Sequence, residues 1–143
     1  IILEKEIKMT QTGKLLEMAK KMAEAAEKKA VEIDVPMVIA VCDMGGNTVL
    51  VHRMEDSLLA SISIAQNKAY TAASLKMPSS VAGDAAKEAG ELFGLGNCCE
   101  GRIVTFGGGF PIIDGDRIIG AIGVSGGSVA EDESVAQAGL AAL

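Results

Sequence analysis

Gly107-Gly108-Gly109-Phe110-Pro111-Ile112-Ile113-Asp114-Gly115-Asp116-Arg117-Ile118-Ile119-Gly120-Ala121-Ile122-Gly123-Val124-Ser125-Gly126-Gly127-Ser128 is the stretch on which the fold turns. Two apolar runs around an Asp-Gly turn read as a β-hairpin. Glycines crowd both outer ends, where they permit tight turns or the close approach of another backbone. The stretch describes a closely fitted architecture more clearly than it describes a catalytic group.

Upstream of it the chain alternates elements. Leu15, Met18, Ala19, Met22, Ala23, Ala26 and Ala30 recur at helical spacing, with Glu17/Lys21 and Glu24/Lys28 as i,i+4 pairs on the wet face. This predicts an amphipathic helix from Thr12 to Ile33, with residues 1–11 poorly ordered or paired with another segment. Pro36 ends it, and Met37 to Cys42 is a run of strand length followed by the turn signal Gly45-Gly46-Asn47. Thr48 to Met54 answers as the second strand of a hairpin. Ser57 to Leu75 is helical, with Ile62, Ala65, Ala69 and Ala72 as a small-residue stripe suited to close packing. Pro78-Ser79-Ser80 can open a further helix to about Leu92, with Ser as its cap. Three strand candidates follow: Arg102 to Phe106, Pro111 to Ile113, and Arg117 to Val124. Ser128-Val129-Ala130-Glu131 is a capping box, so the last helix begins at Val129. The order α-β-β-α-α-β-β-β-α has no alternating βαβ series. It predicts an α+β fold, an antiparallel sheet of about five strands flanked by helices, in a single domain over residues 1–143.

Composition excludes several classes of function. With 143 residues the chain can bury a core without disulfides or metals. A net charge of −6 argues against a nucleic-acid partner, since phosphate neutralisation needs clustered Lys and Arg. No apolar run reaches the roughly 18–20 residues that span a bilayer, and no signal-peptide pattern stands at the start. Three cysteines, Cys42, Cys98 and Cys99, form no paired framework. That suits a reducing compartment, and a cytoplasmic location is expected.

Each chemical motif has a structural reading beside it. Gly123-Val124-Ser125-Gly126-Gly127 matches a nucleophile elbow between strand and helix. Such a hydrolase places its His after the Ser, whereas His52 precedes it, so a turn into a capped helix is the better reading. The same glycines could cradle a phosphate, but Glu131, Asp132 and Glu133 already occupy the helix N-terminus. One histidine and adjacent cysteines make no structural zinc site, and no metal is expected. Glu55-Asp56 and Asp114-Asp116 read as turn residues. Arg53 ends a strand, and Lys68 interrupts an otherwise small and apolar helix. Each is either a snorkelling surface charge or, if the two converge, half of a carboxylate clamp.

Val41-Cys42-Asp43-Met44-Gly45-Gly46, Arg53-Met54, Ile64 to Ala72, Gly108 to Ile112, Ile119 to Gly127 and Val135 to Leu140 together resemble the GlcG/HbpS family. That family also supplies the C-terminal domain of PduO-type cobalamin adenosyltransferases. The resemblance runs from Thr12 to the C-terminus and implies a profilin-like domain that assembles into homo-oligomers, from dimers to octamers. It implies a small-molecule ligand, with haem or a related tetrapyrrole leading, a reading that the Arg53/Lys68 pair fits as a propionate clamp. For contact with iron, His52, Tyr70, Met side chains or Cys are available. The chain departs from the family pattern at Glu55-Asp56-Ser57, where Asp-Gly-Ala is common, and at His52, where small or aromatic residues are usual. No catalytic residue carries over. Two further classes stay open: an enzyme whose site is assembled across subunits, haem- or corrinoid-linked, and an assembly partner in cobalamin-dependent diol or glycerol metabolism.

Overall fold

Pro36 and the Gly46 turn bracket the first strand, and the Asp-Gly turn centres the last two, so the sheet is built from two local hairpins. The computed structural model describes residues 2–143, with side chains from Lys14 onward. Its elements are α1 (Ile2–Glu32), β1 (Val38–Asp43), β2 (Thr48–Arg53), α2 (Leu59–Leu75), α3 (Ser79–Ala85), β3 (Gly109–Asp114), β4 (Arg117–Ser125) and α4 (Val129–Leu140). The four strands run in the order β2-β1-β4-β3 and all neighbours are antiparallel. Backbone of α1 reaches back well beyond the expected start at Thr12, because Leu, Glu, Lys and Met favour helix and no proline intervenes.

Alternation along the central strands divides the core. Ile39 and Val41 of β1 join Ile122 and Val124 of β4 on one face, under the α1 stripe of Ala19, Met22, Ala23, Ala26 and Ala30 and under Val135 and Ala136 of α4. Val38, Ala40, Cys42 and Ala121 face the other way, against Ala65, Ala69, Ala72 and Ala73 of α2. The two helical layers thus cover both faces of the sheet.

Local chemistry agrees with the sequence at the turns. Gly115, at φ +66°, is the first of the two residues between β3 and β4, as a type II′ turn requires. At α4 both halves of the capping box form: Glu131 N donates to Ser128 Oγ (3.2 Å) and Ser128 N donates to Glu131 Oε2 (2.7 Å).

Two expectations are corrected. Arg102 to Phe106 is not a strand, so the sheet has four strands and not five. The segment crosses α2 instead, where Val104 N donates to Thr71 Oγ1 (2.9 Å) in place of a ladder carbonyl. The helix expected to reach Leu92 stops at Ala85. Leu92 N returns to Ala85 O (2.9 Å) and Ala89 takes a left-handed φ of +66°, so the chain folds back on itself. Its N-cap position is Pro78, without a side-chain cap, and Ser79 turns inward to accept from Gly109 N (2.9 Å).

Candidate functional site

The small residues of α2 let it lie directly on β4. A Cβ at Gly123 would collide with Ala65 O and stand 2.5 Å from Ala69 N. The gap left by Gly108 and Gly123 is filled by one long side chain, Lys68, which is fully buried. Its ammonium donates to Val124 O (2.8 Å) and to Asp132 Oδ2 (2.7 Å), beneath the Phe106 ring at 5.1 Å. Burial holds the Lys68 pKa below its ordinary value, against the opposing pull of Asp132 and Glu133. The second Asp132 oxygen accepts from Gly127 N (2.9 Å). Lys68 is therefore neither a snorkelling surface charge nor one half of a clamp. It ties α2, β4 and α4 together, and the structure does not bring it to Arg53.

The other glycine-rich motifs are likewise occupied by the chain itself. A Cβ at Gly126 would meet Pro36 O, and one at Gly127 the Glu131 carboxylate, which leaves no phosphate cradle. Ser125 is buried and bonded to Ser61 Oγ (3.0 Å), so its hydroxyl packs α2 onto β4.

His52 and Arg53 sit at the far end of β2, an outer strand, on opposite faces of it. His52 pairs with Ile39 on the α1 face, and its Nε2 lies 3.5 Å from Glu27 Oε2 of α1. Arg53 is exposed and makes no ion pair among the described residues. Exposed Val51, Leu58 and Leu59 lie close to it in the chain. Asp114 meets Lys14 at 2.6 Å, which holds its carboxyl below the ordinary range and ties the β3–β4 turn to α1.

Tyr70 stands at the opposite end of the hairpin, its ring against Gly46. Arg102 lies over that ring, Cζ at 3.7 Å from the centroid, and Nε donates to Asn67 Oδ1 (3.4 Å). The neighbouring Cys99 thiol, aided by desolvation, raises the Tyr70 pKa above its ordinary value. Beside this pair opens a cleft of about 170 Å³ between β1, β2 and α2, lined by Gly46, Thr48, Ser63, Gln66, Asn67 and Arg102. Cys42 forms part of its wall, and burial pushes that thiol up to about 11. Cys98 and Cys99 are exposed. A thiol titration near pH 8 should therefore count two fast equivalents and a third only on unfolding. Three fast equivalents would contradict the burial of Cys42.

Sequence reasoning missed Arg102, Asp132 and Glu27 as partners. Arg102 lies in a segment with the composition of a strand that does not form. Asp132 was counted with the acidic first turn of α4, although a lysine inside an alanine-rich helix implies a buried carboxylate somewhere. Among the described residues no three His, Cys, Asp or Glu side chains gather as a metal site, and no helix is long and apolar enough to cross a membrane.

The sequence model of the family described as haem degrading protein HbpS-like matches residues 15–141. The chain is 48% identical over 125 residues to an uncharacterised 15.0 kDa protein of the dhaT-dhaS intergenic region of Citrobacter freundii, covering 87% of this chain and 88% of that one. It is 36% identical over 122 residues to corrinoid adenosyltransferase PduO of Salmonella typhimurium, covering 85% of this chain but only 36% of PduO. Among solved structures, that of a PduOC:haem complex matches with a TM-score of 0.87 at 35% identity, covering 89% of this chain and 92% of that one.

Proposed function

The chain belongs to the HbpS-like family, and from that premise we propose that it is an accessory protein that binds haem or a related tetrapyrrole at the open edge of β2, with His52 as the side chain that would hold the iron and Arg53, on the other face of the same outer strand, as the propionate partner. One observation carries the reading: the chain's single histidine stands half-exposed on an outer strand with a carboxylate, Glu27, beside it. A metal-bound imidazole commonly has its second nitrogen oriented by such a carboxylate. Bound haem would supply an iron that His52 could hold, while the Arg53 guanidinium suits a carboxylate bidentately. Exposed Val51, two residues before Arg53 on the same face of β2, offers apolar surface on that side of the strand edge.

The clefts argue for where such a ligand would lie. Pockets that enclose a drug-sized molecule run to about 300–1,000 Å³. The Tyr70–Arg102 cleft, at about 170 Å³, is too small, and the groove beside Phe106, about 340 Å³, stands at the lower bound. Neither cleft is roomy enough to enclose a tetrapyrrole, which supports a surface seat along β2 with a second copy of the chain as its cover. Similarity to the PduOC:haem complex and to a relative encoded between dhaT and dhaS supports an accessory role beside diol or glycerol metabolism.

Titration with haemin, followed by absorbance, tests the reading. The protein is expected to give a saturable Soret shift that His52→Ala alters. Arg53→Met is expected to weaken binding by about 1.5–3 kcal/mol, the worth of a charged hydrogen bond. A spectrum indistinguishable from free haemin would overturn haem as the ligand, and an unchanged bound spectrum in His52→Ala would remove His52 as the iron's partner.

A further inference from the structure

The cleft beside Tyr70 is too small for a macrocycle, yet it is lined for polar recognition. Its side-chain donors and acceptors are the hydroxyls of Thr48 and Ser63, the amides of Gln66 and Asn67, and the guanidinium of Arg102. Arg102 carries the only formal charge on the lining, and it is positive. Among the described residues Arg102 has no carboxylate partner. Asp43, next to Cys42 of the wall, is turned into the β1–β2 loop, where Oδ1 accepts from Gly45 N and Asn47 N, each at 2.9 Å. Stacking on Tyr70 and the bond to Asn67 fix the guanidinium plane through its face and its Nε, which leaves the terminal nitrogens free.

From this geometry we infer a second ligand site, distinct from the β2 edge: the cleft takes a small carboxylate that also carries a hydroxyl or a second polar group. A pre-oriented guanidinium matches a planar carboxylate through two parallel hydrogen bonds. The Gln66 amide is held by its bond to Ile62 O (2.8 Å) and its oxygen lies 3.4 Å from Thr48 Oγ1, so the remote end of the ligand meets an already ordered amide and hydroxyl. The size fits the same class. At roughly 30 Å³ of liquid per water, the cleft has room for about five or six water-sized groups, enough for a three- or four-carbon acid. A single cation balances one carboxylate, whereas a phosphate dianion would lack half its counter-charge.

The test is an amide chemical-shift titration of the full chain with sodium lactate, glycerate and malonate, with inorganic phosphate and chloride at matched ionic strength as controls. At least one carboxylate is expected to shift the Gly46, Gln66 and Asn67 amides saturably, and the controls are not. Arg102→Gln should weaken that binding about tenfold to a hundredfold, as loss of a charged hydrogen bond does. Because Arg102→Gln also frees the Tyr70 ring, Gln66→Leu serves as a second variant that leaves the stack in place, and it should weaken binding several-fold. His52→Ala should bind the carboxylate like the parent chain, so that this site and the haem reading fail independently. Equal shifts with chloride or phosphate, no shift with any carboxylate, or full affinity in both Arg102→Gln and Gln66→Leu would each overturn the assignment.

Discussion

Asp132→Ala should lower stability by about 3–5 kcal/mol, the cost of removing one member of a buried ion pair and leaving the other charged in the interior. Lys68 is wholly enclosed and has only Val124 O as its other acceptor, so its ammonium would be stranded. Urea unfolding of Asp132→Ala against the parent chain measures the loss, and a difference under about 1 kcal/mol, typical of an exposed pair, would contradict the buried geometry. The deficit also carries a sign in pH. The Lys68 pKa in the folded chain lies below its ordinary 10.5. Below the folded value the buried charge lowers stability, and the penalty falls away as the pH rises through that value toward 10.5. Asp132 pulls the Lys68 pKa up, so its removal lowers that value further and the variant sheds the penalty at lower pH than the parent; the deficit of Asp132→Ala should therefore shrink as the pH is raised. Replacing both partners by apolar residues, Lys68→Met with Asp132→Leu, should recover most of the stability, since the desolvation of two charges is removed together.

Gly123→Ala should cost at least the upper part of the usual 1–3 kcal/mol of overpacking. The added methyl meets backbone of α2, Ala65 O and Ala69 N, and backbone cannot swing aside as a side chain does. Helix and strand would have to separate along the line where Ala65, Ala69 and Lys68 cross β4. Gly96→Ala is the control, because its new Cβ meets nothing closer than Thr105 Cγ2 at 3.6 Å. Thermal unfolding should show a clear loss for the first and a change within about 0.5 kcal/mol for the second. Equal melting of the two variants would mean that the α2–β4 contact is looser than described.

The features legible in the sequence are those whose causes are local. The alanine and methionine stripe of α1, the Asp114-Gly115 turn and the Ser128 capping box each depend on residues within a few positions, and each forms as read. Segments decided by distant partners were misread. Arg102 to Phe106 has a strand's composition, but the hydroxyl of Thr71, 33 positions away, takes the amide that would have joined a ladder. Lys68 stood out as an anomaly in its helix, yet its meaning lay with Asp132, 64 positions on. No periodicity links two such residues. The family resemblance supplied the architecture, and it could not tell that Arg53 faces solvent while Lys68 is enclosed, because both are simply cations in a sequence.

The order of the strands has a consequence for how the chain comes into being. Each hairpin closes over a short turn, but the seam between β1 and β4 joins Val38 to Ser125 and so waits for most of the chain. Closing that long loop carries an entropic cost before any pairing repays it, so the seam is expected to form after both hairpins. Until then both central strands expose an unpaired edge, and those are the edges richest in Val, Ile and Ala. On the ribosome, the β1–β2 hairpin therefore emerges early and stays adhesive until translation has passed Ser125.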